Sequence, residues 1–267
     1  MIYSVRGLAH ELEETIKERI KTYGTPSLDI LATSDDYASK KYIENKIKKG
    51  TELGINVRKI GLDEFKTSIA DGIIVQLPVG KCIYERELIE QIDPSKDVDG
   101  FNDVILGEIM RRGHSLLSPC TAKGVRDLIH RFYADVEGLD VVIINRSNIV
   151  GKPLAMMLLA DDMTVTICHS KTKDLASHTK RANIVVTAVG KENFITRDML
   201  NDHAFVIDVG ICRDENGKVC GDCSKDLYTD PTVYCTPVPN GVGRLTVLEL
   251  LNNTTIAKMK NTVSNLK

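Results

Sequence analysis

Val141-Val-Ile-Ile-Asn-Arg-Ser-Asn-Ile-Val-Gly-Lys-Pro153 reads as a strand, a turn and the start of a helix. Four consecutive apolar residues, all of them β-branched, suit a strand buried on both faces of a parallel sheet. Pro153 suits the first helical turn, where its missing N–H costs nothing. A doubly wound sheet binds dinucleotide phosphates at such a junction, with backbone N–H groups and the helix dipole facing the anion. The glycine fingerprint is incomplete, with only Gly151 in place, so a plain βα turn stays open as the other reading.

Outward from that stretch, strand-like runs alternate with helical ones, which points to parallel βαβ units and an α/β fold. Downstream strands are expected at Thr164–Cys168, Ile184–Ala188 and Phe205–Val209, with a short one near 233–235. Asn216-Gly217 reads as a hairpin turn. A last helix, about 243–265, follows a glycine-rich loop. Upstream, strands are expected near 28–33, 55–60 and 72–77, with helices near 8–22, 39–53, 84–92, 103–111 and 121–133. Segment 113–120 reads as the passage between two α/β domains.

The chain has 267 residues, enough for one large or two modest domains. A formal charge of −2 gives no global attraction to nucleic acid or membrane surfaces. No apolar run approaches the roughly 20 residues that cross a bilayer, and Leu8–Thr22 reads as a charged amphipathic helix rather than a leader. The expectation is a cytoplasmic protein. Seven cysteines (82, 120, 168, 212, 220, 223 and 235), an odd number without an export signal, argue against a disulfide framework. Cys220-Gly-Asp-Cys223 is formally a Cys-x-x-Cys, yet a metal site usually shows two tight ligand pairs and here only one is tight. No metal site is expected, and Cys220, Cys223 and Cys235 read as small buried hydrophobes.

Chemistry concentrates in the first half. On a helix, Ser39, Tyr42 and Lys46 share one face, joining a hydroxyl, an aromatic wall and an amine. A solvated lysine-rich helix is the other reading, and it holds for Lys40, Lys41, Lys48 and Lys49 unless they attract an anionic tail. Gly72-Ile-Ile-Val-Gln-Leu-Pro78 reads as a buried strand ending in Gln76, and Lys96-Asp-Val-Asp-Gly100 puts Asp99 in a turn. Gln76 as a strand-end hydrogen-bonder and Asp99 as a turn cap remain alternatives.

These segments carry a family resemblance. Ser39-x-x-Tyr42-x-x-x-Lys46, Val75-Gln-Leu-Pro78, Lys96–Gly100, Pro119-Cys-Thr121, Arg146-Ser-x-Ile-Val-Gly-x-Pro153, Thr164-Val-Thr-x-Cys-His-Ser170, Ile207-Asp-Val-Gly-Ile211 and Thr236-Pro-Val-Pro239 run in order through almost the whole chain. Together they resemble the bifunctional methylenetetrahydrofolate dehydrogenase/cyclohydrolases of one-carbon metabolism, which supply purine biosynthesis. The resemblance implies two α/β domains, the second a Rossmann-like doubly wound sheet, with the C-terminal helix packing back on the first. It places the folate-binding catalytic domain at 1–118 plus 244–267 and the NADP domain at 119–243. Implied catalytic residues are Lys46 as general acid/base, Tyr42, Gln76 and Asp99. Tyr42, Asp99, Pro239 and Gly241 are implied to hold tetrahydrofolate derivatives. Asn145, Arg146, Ser147, Ser170, Gly190 and Ile211 are implied to hold the cofactor, and a homodimer is implied. The residues themselves favour NADP over NAD. The strand ending Cys168-His-Ser-Lys171 carries no carboxylate to repel a 2′-phosphate, and Arg146 with Ser170 suits one.

Departures from the family pattern are the short segment between Gly54 and Asp71, Ile105 in place of Asn, and Asn145 in place of Gly. The loop Pro239-Asn-Gly-Val-Gly-Arg244 also departs. Asn145 is expected to keep its turn by tolerating a left-handed backbone. Two competing functions remain: an NADP dehydrogenase of another small substrate, which leaves Ser39, Tyr42, Lys46 and Gln76 unexplained, and a non-catalytic NADP-binding protein.

Overall fold

The computed structural model describes residues 1–34, 37–80 and 84–264; Cys82 lies outside them. The chain divides into two compact units. His10–Glu108, Ser115–Cys120 and the residues from Val247 on form one, while Met1–Ala9, Ile109–His114 and Thr121–Thr246 form the other.

The first unit is built on α1 (Arg6–Tyr23), β1 (Ser27–Leu31), α2 (Tyr37–Glu52), β2 (Asn56–Ile60), α3 (Leu62–Phe65), β3 (Gly72–Val75), α4 (Glu85–Ile89) and α5 (Asp103–Arg112), whose last turn belongs to the second. Its sheet is parallel with order β2-β1-β3. β3 is buried throughout, as its run Gly-Ile-Ile-Val requires, while edge strand β2 is largely exposed. Leu31, Ile60, Phe65, Ile73, Val75 and Leu88 pack one side. The short segment after Gly54 still supplies a core residue, Phe65 of α3.

The second unit continues with α6 (Cys120–Phe132), β4 (Asp140–Ile144), α7 (Gly151–Ala160), β5 (Thr164–Cys168), α8 (Leu175–Thr179), β6 (Ile184–Thr187), β7 (Phe205–Asp208), β8 (Cys212–Arg213), β9 (Val219–Cys220) and β10 (Tyr234–Cys235). Five strands form a parallel sheet in the order β10-β7-β6-β4-β5, and β8 and β9 pair as an antiparallel hairpin. Counted from β4, the sheet order is the 2-1-3-4-5 of doubly wound folds, in which the strand order reverses between the first and third strands. That switch point lies between β4 and β6. The amino terminus joins this unit through a bridge between Ile2 and Cys235, with Tyr3 edge-on to Phe132 and Phe205.

The final helix, α9 (Val242–Ser264), runs on from the second unit into the first. Its Asn252, Asn253, Thr254 and Thr255 are all buried. Such a polar run is tolerable only with partners. Thr254 Oγ1 donates to Leu250 O, Thr255 Oγ1 to Asn252 O, and Asn253 Nδ2 to both Val98 O and Ser118 O at 3.0 Å. The helix thereby packs on the first unit as expected. No helix among the described residues is long and apolar enough to cross a membrane.

Candidate active site

In the first unit, Ser39, Tyr42 and Lys46 lie on the inward face of α2. Lys46 is only 4% exposed. An ammonium so buried needs a partner, and Lys46 Nζ donates to Gln76 Oε1 at 3.0 Å while standing 5.5 Å from the centre of the Tyr42 ring. Gln76 directly follows β3, and its N–H donates to Leu31 O, so the sheet fixes the amide. Gln76 Nε2 donates to Leu77 O, which fixes which way the amide faces.

Asp99 stands in the turn after the strand-like bridge at Asp97. The capping work falls to Asp97, whose carboxylate accepts the N–H groups of Gly100, Phe101 and Asn102 at 2.7–3.0 Å. Gly100 has φ +78°, and a Cβ there would meet Leu117 O at 2.5 Å, so no other residue fits. Relieved of capping, Asp99 faces the other functional groups. Burial pushes its carboxyl above the ordinary range, against the pull of the Lys46 charge. Burial and then Asp99 push the Tyr42 phenol up, and burial with Asp99 lifts the Cys120 thiol well above its usual value. Burial likewise moves Asp97 to about 6, opposed by its backbone donors. Amine, amide, phenol and carboxyl thus gather as the sequence suggests, in an arrangement able to move protons.

In the second unit, Asn145 leaves the end of β4 at the switch point. Its Oδ1 accepts from Ser147 N, Ser147 Oγ and Gly151 N at 2.8, 2.7 and 3.1 Å, and its Nδ2 donates to Ala188 O, just beyond β6, at 2.7 Å. The left-handed backbone expected of Asn145 is not adopted: among the described residues, those other than glycine with positive φ are Asp162, Asp174, Asn193, His203 and Asn240. The turn is kept by side-chain bonding instead. Gly151 is obligatory here, since a Cβ would lie 2.1 Å from Asn145 O. Ile144 of β4 pairs with Cys168 of β5, so Arg146 and Ser170 sit two residues past paired strand ends, and both are exposed. Gly190 has φ +73°, and Ile211 is 55% exposed. These residues fit a dinucleotide with a 2′-phosphate: strand-end cation and hydroxyl, and a helix start at the switch point. Pro239 and Gly241 cluster with this second unit rather than with Lys46. Asn240 between them has φ +73°, and a Cβ on Gly241 would lie 2.1 Å from Pro237 O.

Two buried carboxylates in this unit escaped the sequence reading. Asp222 accepts from Thr187 Oγ1 and Val189 N, both at 2.7 Å, and from Lys191 N at 2.8 Å, bracing the loop that carries Gly190. Asp208 in turn accepts from Gly210, Asp222 and Cys223 N–H groups at 2.9–3.0 Å. Gly210 and Gly221 admit these carboxylates, for a Cβ on either would fall 2.1–2.2 Å from one. Burial raises Asp208 to about 6. The sequence signals were the Asp of Ile207-Asp-Val-Gly-Ile211 and the Gly-Asp pair inside Cys220–Cys223, neither of which carried an assigned role. Cys223 and Cys235 are buried as expected, whereas Cys220 is only half-buried and faces Cys212 across the hairpin. Among the described residues no group of three or more His, Cys, Asp or Glu could hold a metal ion.

By sheet order and by its strand-end turn, the second unit is a nucleotide-binding domain of the doubly wound class. Two family profiles match the chain: "Tetrahydrofolate dehydrogenase/cyclohydrolase, catalytic domain" over residues 4–99, and the "NAD(P)-binding domain" of the same family over residues 119–262. The chain is 40% identical over 274 residues to the bifunctional protein FolD of Bacillus subtilis, covering 96% of this chain and 94% of the relative. Among solved structures, the bifunctional FolD enzyme of Campylobacter jejuni superimposes with a TM-score of 0.90 at 35% identity, covering 98% and 99% of the two chains. The Trypanosoma brucei enzyme, solved with NADP cofactor and an inhibitor, gives 0.89 at 27%, covering 98% of each. The chain belongs to the tetrahydrofolate dehydrogenase/cyclohydrolase family.

Proposed function

We propose that this chain oxidises 5,10-methylenetetrahydrofolate to 5,10-methenyltetrahydrofolate with NADP⁺, then hydrolyses the product to 10-formyltetrahydrofolate. The observation that carries the reading is the buried Lys46–Gln76 pair beside Asp99 in a chain of this family. NADP⁺ when bound supplies the hydride acceptor. What the chain must add is orientation and, for the second step, proton transfer.

Water adds to the methenyl carbon and loses a proton, and opening of the ring then needs a proton on the departing nitrogen. Lys46 is assigned to these transfers, with Gln76 Oε1 aiming its amine. Tyr42 supplies a flat face for the folate rings, and Asp99 accepts the paired N–H groups of the pterin edge. Pro239 and Gly241 complete the folate contacts. Asn145, Ser147, Gly190 and Ile211 hold the dinucleotide, and Arg146 with Ser170 selects the 2′-phosphate. We assign residues 1–118 and 244–267 to folate and 119–243 to NADP. A cytoplasmic homodimer fits edge strand β5, which leaves Ile167 37% exposed; sedimentation of the purified chain tests the dimer. The net charge of −2 favours neither nucleic acid nor membrane as a partner.

Purified protein given methylenetetrahydrofolate and NADP⁺ should produce NADPH and then 10-formyltetrahydrofolate. No NADPH, or NADPH with methenyltetrahydrofolate decaying only at its uncatalysed rate, would refute the dehydrogenase or the cyclohydrolase half respectively.

A further inference from the structure

The β8–β9 hairpin brings two cysteines together that the proposed reaction does not use. Cys212 and Cys220 are direct partners in its antiparallel register, and their sulfurs stand 2.9 Å apart. Directly opposed residues in such a pair have Cα atoms about 4.5–5.5 Å apart, inside the span of about 4.4–6.8 Å that a disulfide needs. The backbone therefore requires no rearrangement for the two sulfurs to bond. Both side chains are half-buried, and most of the surrounding hairpin, including Arg213 and Glu215–Lys218, is exposed.

We propose that Cys212 and Cys220 form a dithiol modification site that closes to an intramolecular disulfide by exchange with a low-molecular-weight disulfide such as oxidised glutathione. The Cys220 thiolate attacks one glutathione sulfur and expels the other as glutathione thiolate, leaving a mixed disulfide on Cys220. The Cys212 thiolate then attacks the Cys220 sulfur and expels the second glutathione. Two protein thiols are oxidised, one glutathione disulfide is reduced to two thiols, and each released thiolate takes up the proton a cysteine lost. Burial, followed by the neighbouring Cys220, pushes Cys212 up to about 12 in the dithiol, so Cys212 does not make the first attack.

Position in the fold decides the consequence. Cys212 directly follows Ile211, and Cys220 precedes by two residues Asp222, whose carboxylate holds Thr187, Val189 and Lys191. The bridge fixes the hairpin in the register that already sets Asp222, so it stiffens this support without displacing it. The oxidised chain keeps its dehydrogenase turnover and gains thermal stability.

The test treats the full chain with oxidised glutathione at mildly alkaline pH, then digests it without reduction and maps linked peptides by mass spectrometry. The expected result is a Cys212–Cys220 linkage two hydrogens lighter than the dithiol, reversed by dithiothreitol. Cys223 and Cys235, both buried, should stay reduced. Cys212→Ser should stop at the glutathione mixed disulfide on Cys220. In the wild type, turnover should stay within about twofold and the thermal midpoint should rise by several degrees. Stable glutathionylation of Cys220 in the wild type, linkage of Cys220 to any other cysteine, or no linkage would overturn the site. Loss of turnover on mapped closure would overturn the stated consequence.

Discussion

Replacing Lys46 with Met removes the amine while keeping most of its unbranched stem. In the native chain Lys46 is 4% exposed, its amine bonded to Gln76 Oε1 at 3.0 Å and over the Tyr42 ring. General acid/base groups contribute typically 10²–10⁴-fold, which is about 3–5 kcal/mol of barrier. Hydrolysis of methenyltetrahydrofolate should fall by about two orders of magnitude or more. Hydride transfer, which sends no proton to the enzyme, should survive in part, so methenyltetrahydrofolate accumulates during turnover. Folding should be nearly unaffected, because two contributions oppose. A charged hydrogen bond worth about 1.5–3 kcal/mol is lost, and the desolvation of a buried ammonium, itself several kcal/mol, is relieved. Asp99 offers a second readout. The Lys46 charge holds its carboxyl down against burial, so the mutant's dehydrogenase should need a higher pH to reach full activity. Stopped-flow absorbance of added methenyltetrahydrofolate measures the main effect. Decay at the wild-type rate would remove Lys46 from the mechanism.

Arg146→Ala should weaken NADP⁺ binding by about tenfold to a hundredfold, the value of one charged hydrogen bond, and barely change NAD⁺; equal losses in a fluorescence titration would refute the 2′-phosphate assignment. Asp222→Asn leaves one acceptor oxygen for three donors at 2.7–2.8 Å, so KM for NADP⁺ should rise about tenfold; an unchanged KM in a folded variant would show that the loop holds itself. Asp208 is raised from 3.8 to about 6 by burial, so the folded chain holds its proton more tightly than the unfolded one. Its contribution is full below about pH 4 and is lost as pH rises through 6, about 3 kcal/mol in all. The stability difference between wild type and Asp208→Asn in urea should therefore shrink from pH 4 to 6, and a flat or growing difference would contradict it.

The alternation of apolar runs and amphipathic helices made both sheets readable, because each strand is specified by its own few residues. The Lys46–Gln76 pair was readable for a related reason, since each end is fixed by an element whose period is local. Asp222 was not. Its partners lie up to 35 residues away, and it stands in a Cys-x-x-Cys that draws attention to sulfur. Hairpin register hid the facing thiols as well. An Asn216-Gly217 pair acting as a two-residue turn would oppose Arg213 to Cys220. One more residue in the connection, with Gly217 at φ +74°, opposes Cys212 to Cys220 instead, and a one-residue slip changes every pairing. Asn145 and Asn240 diverge for the same reason. Asn240 takes the left-handed backbone, while Asn145 uses its amide, a choice made by distant Ala188 and Gly151.

That Asn145 amide has a thermodynamic consequence for whatever binds at the turn. One neutral oxygen collects the N–H groups of Ser147 and Gly151 and the Ser147 hydroxyl, so it acts as an internal stand-in for an anion. Ordering each loop residue costs about 1–2 kcal/mol, and here folding has already met that cost. In the proposed cofactor site, an arriving phosphate would find its donors aimed and would have to outcompete only an uncharged acceptor, whose bonds are about half as strong as those to an ion. Such a turn would trade some maximum affinity for a smaller entropy loss on association, which favours rapid exchange of a cofactor that leaves in a different redox state after every cycle.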